Sequence, residues 1–540
     1  MQNRRWELSA KERWLGLVVV VGVFLGGAAL FLPQQSLWLD EATQMTGVRL
    51  GPIGAARWLA GGGPDDTGQI RDRMPPLSDW MGWAWASVFG FEEKSLRWFG
   101  VSCFAAAAAL VFEAARRAFG TASAWTAGLL FSLSPAVIVL SVEIRAYPLF
   151  VFWSALAFHE LVRLLAMPPD ERRATSYVVL AVALSAAVAT HFVGAVLAGS
   201  ILAALVVLEP RGAGRLRPIL GVGGVVAGSF ALLLPFIVAS FDVSKHMTTR
   251  SVGYGPRLAV VKNLLVKLIN HVTLSVHRPV SIVALTAAVV LIVVVISSYR
   301  SMRRPGIAVA LTLGIGLLVV TVAQLVLKQF DAAASNYNAW MRPGFCILLS
   351  AGIASESRPL RRAAVLASSL LLAAQTFGVY QLAVHGDHFA HGPQRAIVDL
   401  LRTRSPREIA LIHDDPSSRV LFLYCPLRFE LGRGLVQYQS GPANSLLVRS
   451  YPEGIELRPV VGLPNRTLLV VRLEGINPTD LATRVRDGHR ALVAGPLSRA
   501  LLASGDWRLV SEQVVVSGTS ARIDMFERRQ LTESGLTARK

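Results

Sequence analysis

Apolar runs long enough to cross a bilayer dominate the chain between residues 14 and 382. A helix needs about 20 mainly apolar residues to span the roughly 30 Å hydrocarbon core. The first run, Trp14 to Leu32, follows Arg4, Arg5, Lys11 and Arg13. It is longer than a signal-peptide core and ends in FLPQQSLW without a small-x-small cleavage site, so it reads as a retained helix with a cytoplasmic N-terminus. Further runs at 97–115, 122–140, 147–165, 176–190, 192–209, 218–240, 280–298, 306–327, 341–355 and 362–382 bring the prediction to eleven crossings. An odd number places the C-terminal segment outside.

Two apolar stretches fit the pattern less simply. PPLSDWMGWAWASVFG, from Pro75 to Gly90, carries Trp80, Trp83 and Trp85. Tryptophan favours the headgroup layer, which predicts an interfacial helix within a long external loop, 33–96. A second interfacial helix is predicted at 257–276, where Lys262 and Lys267 interrupt the apolar positions at near-helical spacing.

From about residue 385 the apolar runs shorten to strand length. EIALIHDD (408–415), RVLFLYC (419–425), GLVQYQS (434–440), RTLLVVRL (466–473) and SEQVVVSG (511–518) read as strands, and Pro478 to Arg490 and Ser498 to Gly505 as helices. The fold class is therefore a multi-pass α-helical membrane protein with a C-terminal soluble α/β domain. The expected division is a membrane domain over 1–384 and an extracytoplasmic domain over 385–540, for which the sequence suggests no chemical role.

Composition supports this reading. Of 540 residues, 53% are hydrophobic and only 16% charged, where soluble domains carry about 25% charge. The net charge of +19 could suggest nucleic acid, but the basic residues stand between apolar runs. Arg116 and Arg117, then Arg163, Arg172 and Arg173, then Arg211, Arg215 and Arg217 fall in alternate loops, continued by Arg300, Arg303 and Arg304 and by Arg358, Arg361 and Arg362. Cytoplasmic loops of membrane proteins carry this excess. If 75–90 crossed the bilayer, the Arg116–Arg117 turn would move outside and the alternation would fail. Cys103, Cys346 and Cys425 form no CxxC pair, so neither a disulfide scaffold nor a zinc site is indicated.

The candidate chemistry gathers on the predicted external side. SLWLDEA, 36–42, places Asp40 and Glu41 just beyond the first crossing. Such acidic pairs are commonly only solvated, but a carboxylate partly desolvated against lipid can serve as a general base. Consecutive residues point in different directions on a helix, so the two acids are expected to have different roles. Pro75 and Pro76 open the interfacial helix, SVEIRAY (141–147) links two crossings, and Thr190-His191-Phe192 forms a turn. Tyr337, Trp340, Arg342 and Pro343 end another external loop. A Glu-x-Arg pair is often a local ion pair and a lone turn His often structural. Together, though, they put acids, an imidazole and two guanidiniums on one side of a membrane. Arginine suits phosphate through its bidentate, permanently charged fork, which suggests transfer from a lipid-linked phosphate donor.

The order of these motifs resembles the GT-C membrane glycosyltransferases, in the bacterial branch similar to protein O-mannosyltransferases and aminoarabinose transferases (the glycosyltransferase family 39/83 group). SLWLDEA is similar to the family's first-loop Asp-Glu motif, and MPPLSDW with the following helix to its His-Pro-Pro-Leu segment. SPAVIVLSVEIRAYPLF (134–150) resembles its Ser-Pro…Ser-x-Glu-x-Arg-x-Tyr signature, and THFVG (190–194) its Thr-His-aromatic-x-Gly turn. The good matches cover about 30–210; Arg342-Pro343 is a faint match and the C-terminal domain none. Met74 departs from the His usual before Pro-Pro, so any contribution of that His to a metal or donor phosphate is missing here.

The resemblance implies a GT-C-like fold and a polyprenyl-phosphate sugar donor, with a lipid, glycan or protein acceptor outside the cell membrane of a bacterium. It implies Asp40 as base, Glu41 as its orienting partner, and Arg145, Arg342 and His191 as contacts of the donor phosphate. Glu143, which would hold Arg145, together with Tyr147, Pro75 and Pro76, would support them. No metal ligand set is identified, and a divalent cation is left open. The alternatives are a polytopic transporter or lipid flippase without glycosyl transfer, and an assembly scaffold acting through the C-terminal domain. Transporters usually show internal repeats and polar broken helices at midplane, which this sequence lacks.

Overall fold

A computed structural model of the chain describes residues 9–35, 37, 39–62, 72, 74–168, 171–209, 216–247, 278–299, 302–327, 337–385, 397–398, 409–413, 436–440, 445–450, 454–459, 467–474, 496–504, 507–515 and 520–528. The predicted helix at 257–276, the strand at 419–425 and the helix at 478–490 lie outside these residues. The chain divides into two compact units. One takes in Met1–Pro33, Gly47–Gly63 and Asp72–His385; the other takes in Gln34–Thr46, Pro64–Arg71 and Gly386–Lys540.

The first unit is helical. Its long elements are α1 (Ala10–Phe31), α5 (Glu93–Phe119), α8 (Tyr147–Ala166), α13 (Arg278–Ser297), α14 (Arg304–Leu327) and α16 (Arg358–His385). Each contains a segment long and apolar enough to cross a membrane. Two more candidates are bent pairs: α6 (Thr121–Ser132) with α7 (Pro135–Ser141), turned by 57°, and α11 (Leu216–Leu232) with α12 (Leu234–Met247), turned by 50°. Proline explains both bends. Pro135 stands at the first position of α7 and Pro235 at the second of α12, where a missing N–H costs least, and a proline disfavours helical geometry in the residue before it. Ser134 accordingly has ψ near 116°. The other three predicted crossings are helical but short: α9 (Ala174–Thr190), α10 (Gly194–Leu208), and α15 (Met341–Ser350) with the 3₁₀ turn Ala351–Ala354. All eleven predicted segments are thus helices, of which eight reach spanning length, counting each bent pair once.

Packing centres on α5, which lies against α1, α6, α8 and α15. Phe104 stacks between Phe24 and Phe131, with ring centroids 6.2 and 6.0 Å away. The Ser132 hydroxyl donates to the Val20 carbonyl at 2.9 Å, a bond that costs little where no water competes.

Charged ends order the bundle. Glu113, near the end of α5, pairs with Arg116 (2.8 Å), Arg117 (2.9 Å) and, from the start of α1, Arg13 (3.2 Å). The start of α1 and the end of α5 therefore share one end of the bundle, which requires an even number of crossings from α1 through α5. Arg172 likewise meets Glu209 at 2.5 Å across α9 and α10. Helix α4 (Leu77–Phe89) has 13 residues, about 20 Å of helix, too short to span. It exposes Trp80, Met81, Trp83, Val88 and Phe89, the apolar face an interfacial helix needs. Trp80 donates its indole N–H to Pro52 O in helix α3 (Gly51–Leu59) at 2.9 Å.

The second unit carries a seven-stranded mixed sheet: β1 (Ile409–His413), β2 (Val436–Ser440), β3 (Ser445–Ser450), β4 (Gly454–Pro459), β5 (Thr467–Glu474), β6 (Trp507–Val515) and β7 (Ser520–Arg528), in the order β4-β3-β2-β1-β5-β7-β6. β1 runs parallel to both β2 and β5; the flanking pairs are antiparallel. Helix α17 (Pro496–Ser504) packs Leu497 and Leu501 with Ile412, Leu468, Val470, Trp507 and Phe526. The sequence pattern predicts β1, β2, β5, α17 and part of β6, while β3, β4 and β7 emerge only in the structure.

Candidate active site

Asp40 and Glu41 lie in the first turn of α2 (Leu39–Arg49). Carboxylates are favoured there because the helix N-terminus presents unpaired N–H groups and the positive end of its dipole. Asp40 is half-buried and Glu41 fully buried, so the two neighbours do occupy different environments. Thr46 returns its hydroxyl to Ala42 O at 2.8 Å.

In the helical unit, three short turns converge. One follows α7 and carries Glu143 and Arg145; one separates α9 from α10 and carries His191; one precedes α15 and carries Tyr337. The Arg145 guanidinium carbon sits 4.6 Å from the centroid of the Tyr147 ring, a cation–π distance. Tyr147 and Tyr337 each hold their ring centroids 5.6 Å from the His191 imidazole, and Phe150 stacks on it at 5.1 Å with planes inclined by 13°. Arg145, Tyr147 and His191, all singled out from sequence, are therefore brought together. Phe150 and its stacking role were not foreseen, because it reads as one more apolar residue of a membrane helix.

His191 has a defined proton. Its Nδ1 accepts the backbone N–H of Val193 at 3.2 Å, which leaves the ring proton of the neutral imidazole on Nε2. That Nε2 is buried and has no hydrogen-bond partner among the described residues. Burial, reinforced by the Arg145 charge, pushes the imidazole pKa down from 6.5 to about 3. His191 is thus a neutral donor with its N–H unused, close to a guanidinium and walled by aromatic rings.

Arg342, in the first turn of α15, is also buried and donates through one guanidinium nitrogen to Ala136 O of α7. Glu143, itself buried, acts electrostatically on Arg342. Glu143 and Arg145 share one short bend, so this pair connects through the backbone to the Arg145–His191 cluster. Arg342 also lines a cavity with Ser134, Cys346 and Gln375 and with apolar residues of α6, α7 and α15.

Pro75 and Pro76 stand at the start of α4, where Pro76 O accepts from Trp80 N at 3.1 Å. One turn on, Asp79 is buried, and desolvation together with the nearby Asp72 raises its carboxyl well above the usual range. It packs so closely on Gly47 that no side chain would fit there. Among the described residues, no group of three or more His, Cys, Asp or Glu is arranged to hold a metal ion.

Residues 73–238 match the family described as dolichyl-phosphate-mannose-protein mannosyltransferase. That stretch contains Pro75, Pro76, Glu143, Arg145, Tyr147 and His191; Asp40, Glu41 and Arg342 lie outside it. A comparison with curated proteins finds no match. Among solved structures, the apo form of ArnT from Cupriavidus metallidurans superposes with a TM-score of 0.53 at 15% identity, covering 96% of this chain and 98% of that one. Its form bound to undecaprenyl phosphate gives 0.54 at 16% identity, with the same coverage. At such identities the likeness is one of fold.

Proposed function

We propose that this chain, a membrane glycosyltransferase of the GT-C fold, moves a sugar from a polyprenyl-phosphate donor to an extracytoplasmic acceptor with inversion at the anomeric carbon. An acceptor hydroxyl or amine attacks that carbon as its bond to the phosphate oxygen breaks. The bonding pair leaves with the lipid phosphate, and the acceptor proton passes to Asp40. Glu41 orients the base or the acceptor. Two carboxylates around a sugar centre follow the logic of inverting glycosidases, with the acceptor replacing water.

The observation that carries the reading is the cluster of Arg145 with the unused His191 Nε2–H. A departing phosphate gains negative charge, and preorganised donors in a water-poor site stabilise that charge most effectively. Arg145 supplies the fixed positive charge and His191 a neutral hydrogen bond. Arg342, backed by Glu143, is the second guanidinium for the donor phosphate. Tyr147 braces Arg145 through its ring, and Pro75 and Pro76 support the site by setting the start of the interfacial helix. The donor arrives from within a bacterial cell membrane, with the N-terminus cytoplasmic and residues 385–540 outside.

The test is to incubate the purified chain in lipid nanodiscs with a panel of radiolabelled polyprenyl-phosphate sugars and a membrane extract as acceptor source. Donor-dependent release of polyprenyl phosphate, lost in Arg145→Ala, is expected. Release from none of the donors, or unchanged release by Arg145→Ala, would overturn the proposal.

A further inference from the structure

Helix α5 contains an arginine that the reaction does not use directly. Arg97 stands one turn into the helix and is 1% exposed. An arginine so deeply withdrawn from water carries a large desolvation cost and persists only when its donors are satisfied. Its Nε and one terminal nitrogen meet the same Glu93 carboxylate oxygen at 2.8 Å. The other terminal nitrogen donates to the Val142 carbonyl at 2.6 Å. Val142 is the C-cap of α7, so this carbonyl belongs to the helix end, where backbone oxygens lack intrahelical donors and the dipole is negative.

The next residue along the same face is Gly100. A Cβ there would collide with the Ser141 carbonyl and stand 3.1 Å from the Pro148 side chain. One face of α5 thus seats the bend that carries Glu143 and Arg145 at both of its ends: Arg97 and Gly100 at Ser141–Val142, and Gly100 at Pro148. The residues between those supports, Glu143 to Tyr147, carry both Glu143 and Arg145. Val142 immediately precedes Glu143 and stands three residues before Arg145, so the orientation of its peptide is passed directly to both.

Resting on the glycosyl-transfer reading above, we infer that Arg97 is a positioning residue. It fixes the Val142 carbonyl and thereby aims the Glu143–Arg145 bend at the donor phosphate, without touching donor or acceptor. Glu93 keeps its guanidinium neutralised and oriented.

The experiment uses the full chain in nanodiscs with undecaprenyl phosphate as the probe, measuring its affinity by intrinsic fluorescence and deuterium uptake over residues 139–150. Arg97→Met alone removes the arginine that neutralises the Glu93 carboxylate and tests mainly folding, so the informative variants are Arg97→Lys and the double variant Glu93→Gln/Arg97→Met. The double variant is expected to keep the wild-type elution and melting temperature, to bind the probe at least tenfold more weakly, and to exchange faster at 142–146. Arg97→Lys, which can still reach one carbonyl, is expected to recover most of the binding. Wild-type exchange at 142–146 in a folded double variant overturns the inference, as does unchanged affinity where Arg145→Ala weakens it. If the unmodified chain fails to bind the probe, the lipid-phosphate reading falls, while the exchange measurement still decides whether Arg97 holds the bend.

Discussion

His191 Nδ1 accepts the Val193 backbone N–H at 3.2 Å, and this one bond determines what the imidazole can offer. With Nδ1 occupied as an acceptor, the remaining nitrogen is a donor. With the pKa held to about 3 by burial and Arg145, the ring is neutral throughout the pH range from 5 to 8. His191→Gln, which can place an amide N–H near the Nε2 position, is expected to raise the donor KM only a few-fold. His191→Phe, which keeps the stacking on Phe150 but removes the donor, should raise it about tenfold, the scale of one hydrogen bond to a charged group. The pH–rate profile should show no inflection from this histidine between pH 5 and 8. Stability carries the complementary signature. A base whose folded pKa lies below its unfolded value contributes fully above about 6.5 and loses that contribution as pH falls towards 3. Melting of the wild type should therefore drop over that interval, with a shallower drop in His191→Phe.

Asp40→Asn is isosteric and keeps a polar side chain in the first turn of α2. It should fold, insert and bind undecaprenyl phosphate like the wild type, while transfer falls by a factor of about 10²–10⁴, the usual contribution of a general base. Glu41→Gln should lose less, since the base itself remains. The measurement is single-turnover release of lipid phosphate. Wild-type turnover in Asp40→Asn would remove Asp40 from the proton-accepting role.

What the sequence discloses and what it withholds follow from where each residue stands relative to the apolar runs. Arg145, Tyr147 and His191 sit at breaks between runs, where a polar residue stands out, and their convergence could be anticipated. Phe150 and Arg97 lie inside helices, where one reads as core and the other as a stray charge; only tertiary contact reveals their partners. An arginine four residues after a glutamate at the head of an apolar run, as Arg97 is after Glu93, is nonetheless a usable signal of a paired charge. The eleven helical segments were legible from hydropathy, but their lengths were not, because proline bends α6–α7 and α11–α12 and because α9 and α10 stop at 17 and 15 residues. In the second unit, SARIDMFER alternates with period two, and the β7 strand was available to a stricter reading. β3 and β4 are short and joined through a Pro-Glu-Gly stretch that hides their pairing.

Asp79 offers a titration of opposite sign. Its carboxyl is raised by burial and by Asp72, so folding favours its protonated form. That contribution to stability is complete below about pH 3.8 and declines as pH rises above it, until the folded pKa is passed. Asp79→Asn keeps the shape and removes the ionisation, and it should match or exceed wild-type stability at pH 8 while losing this part of the pH slope. Gly47→Ala should destabilise by about 1–3 kcal/mol, the range for overpacking a tight contact, because the new methyl would occupy the position of an Asp79 carboxyl oxygen. Thermal melts across pH in nanodiscs check both. An Asp79→Asn slope equal to wild type would show that the carboxyl is ionised after all.

The ion pair between Arg13 and Glu113 bears on sidedness. It brings the start of α1 to the end of α5, and the same carboxylate gathers Arg116 and Arg117. Along α5 this basic end lies about 28 Å from Arg97, at 1.5 Å per residue, close to the thickness of the hydrocarbon core. The arginine-rich end should face the cytoplasm, where positive loops are retained, and the Arg145–His191 cluster should face the opposite side. A reporter active only outside the cytoplasm, fused after Arg395, should therefore be active, and one fused after Arg117 silent. Single cysteines at Trp83 and Val88 on α4 should react with a membrane-impermeant maleimide from outside, because that helix lies along the interface rather than across the bilayer. A silent Arg395 fusion with labelling at α4 would mean that one of the short helices α9, α10 or α15 fails to cross. An active Arg117 fusion would reverse the orientation altogether and put the phosphate-binding cluster on the cytoplasmic side.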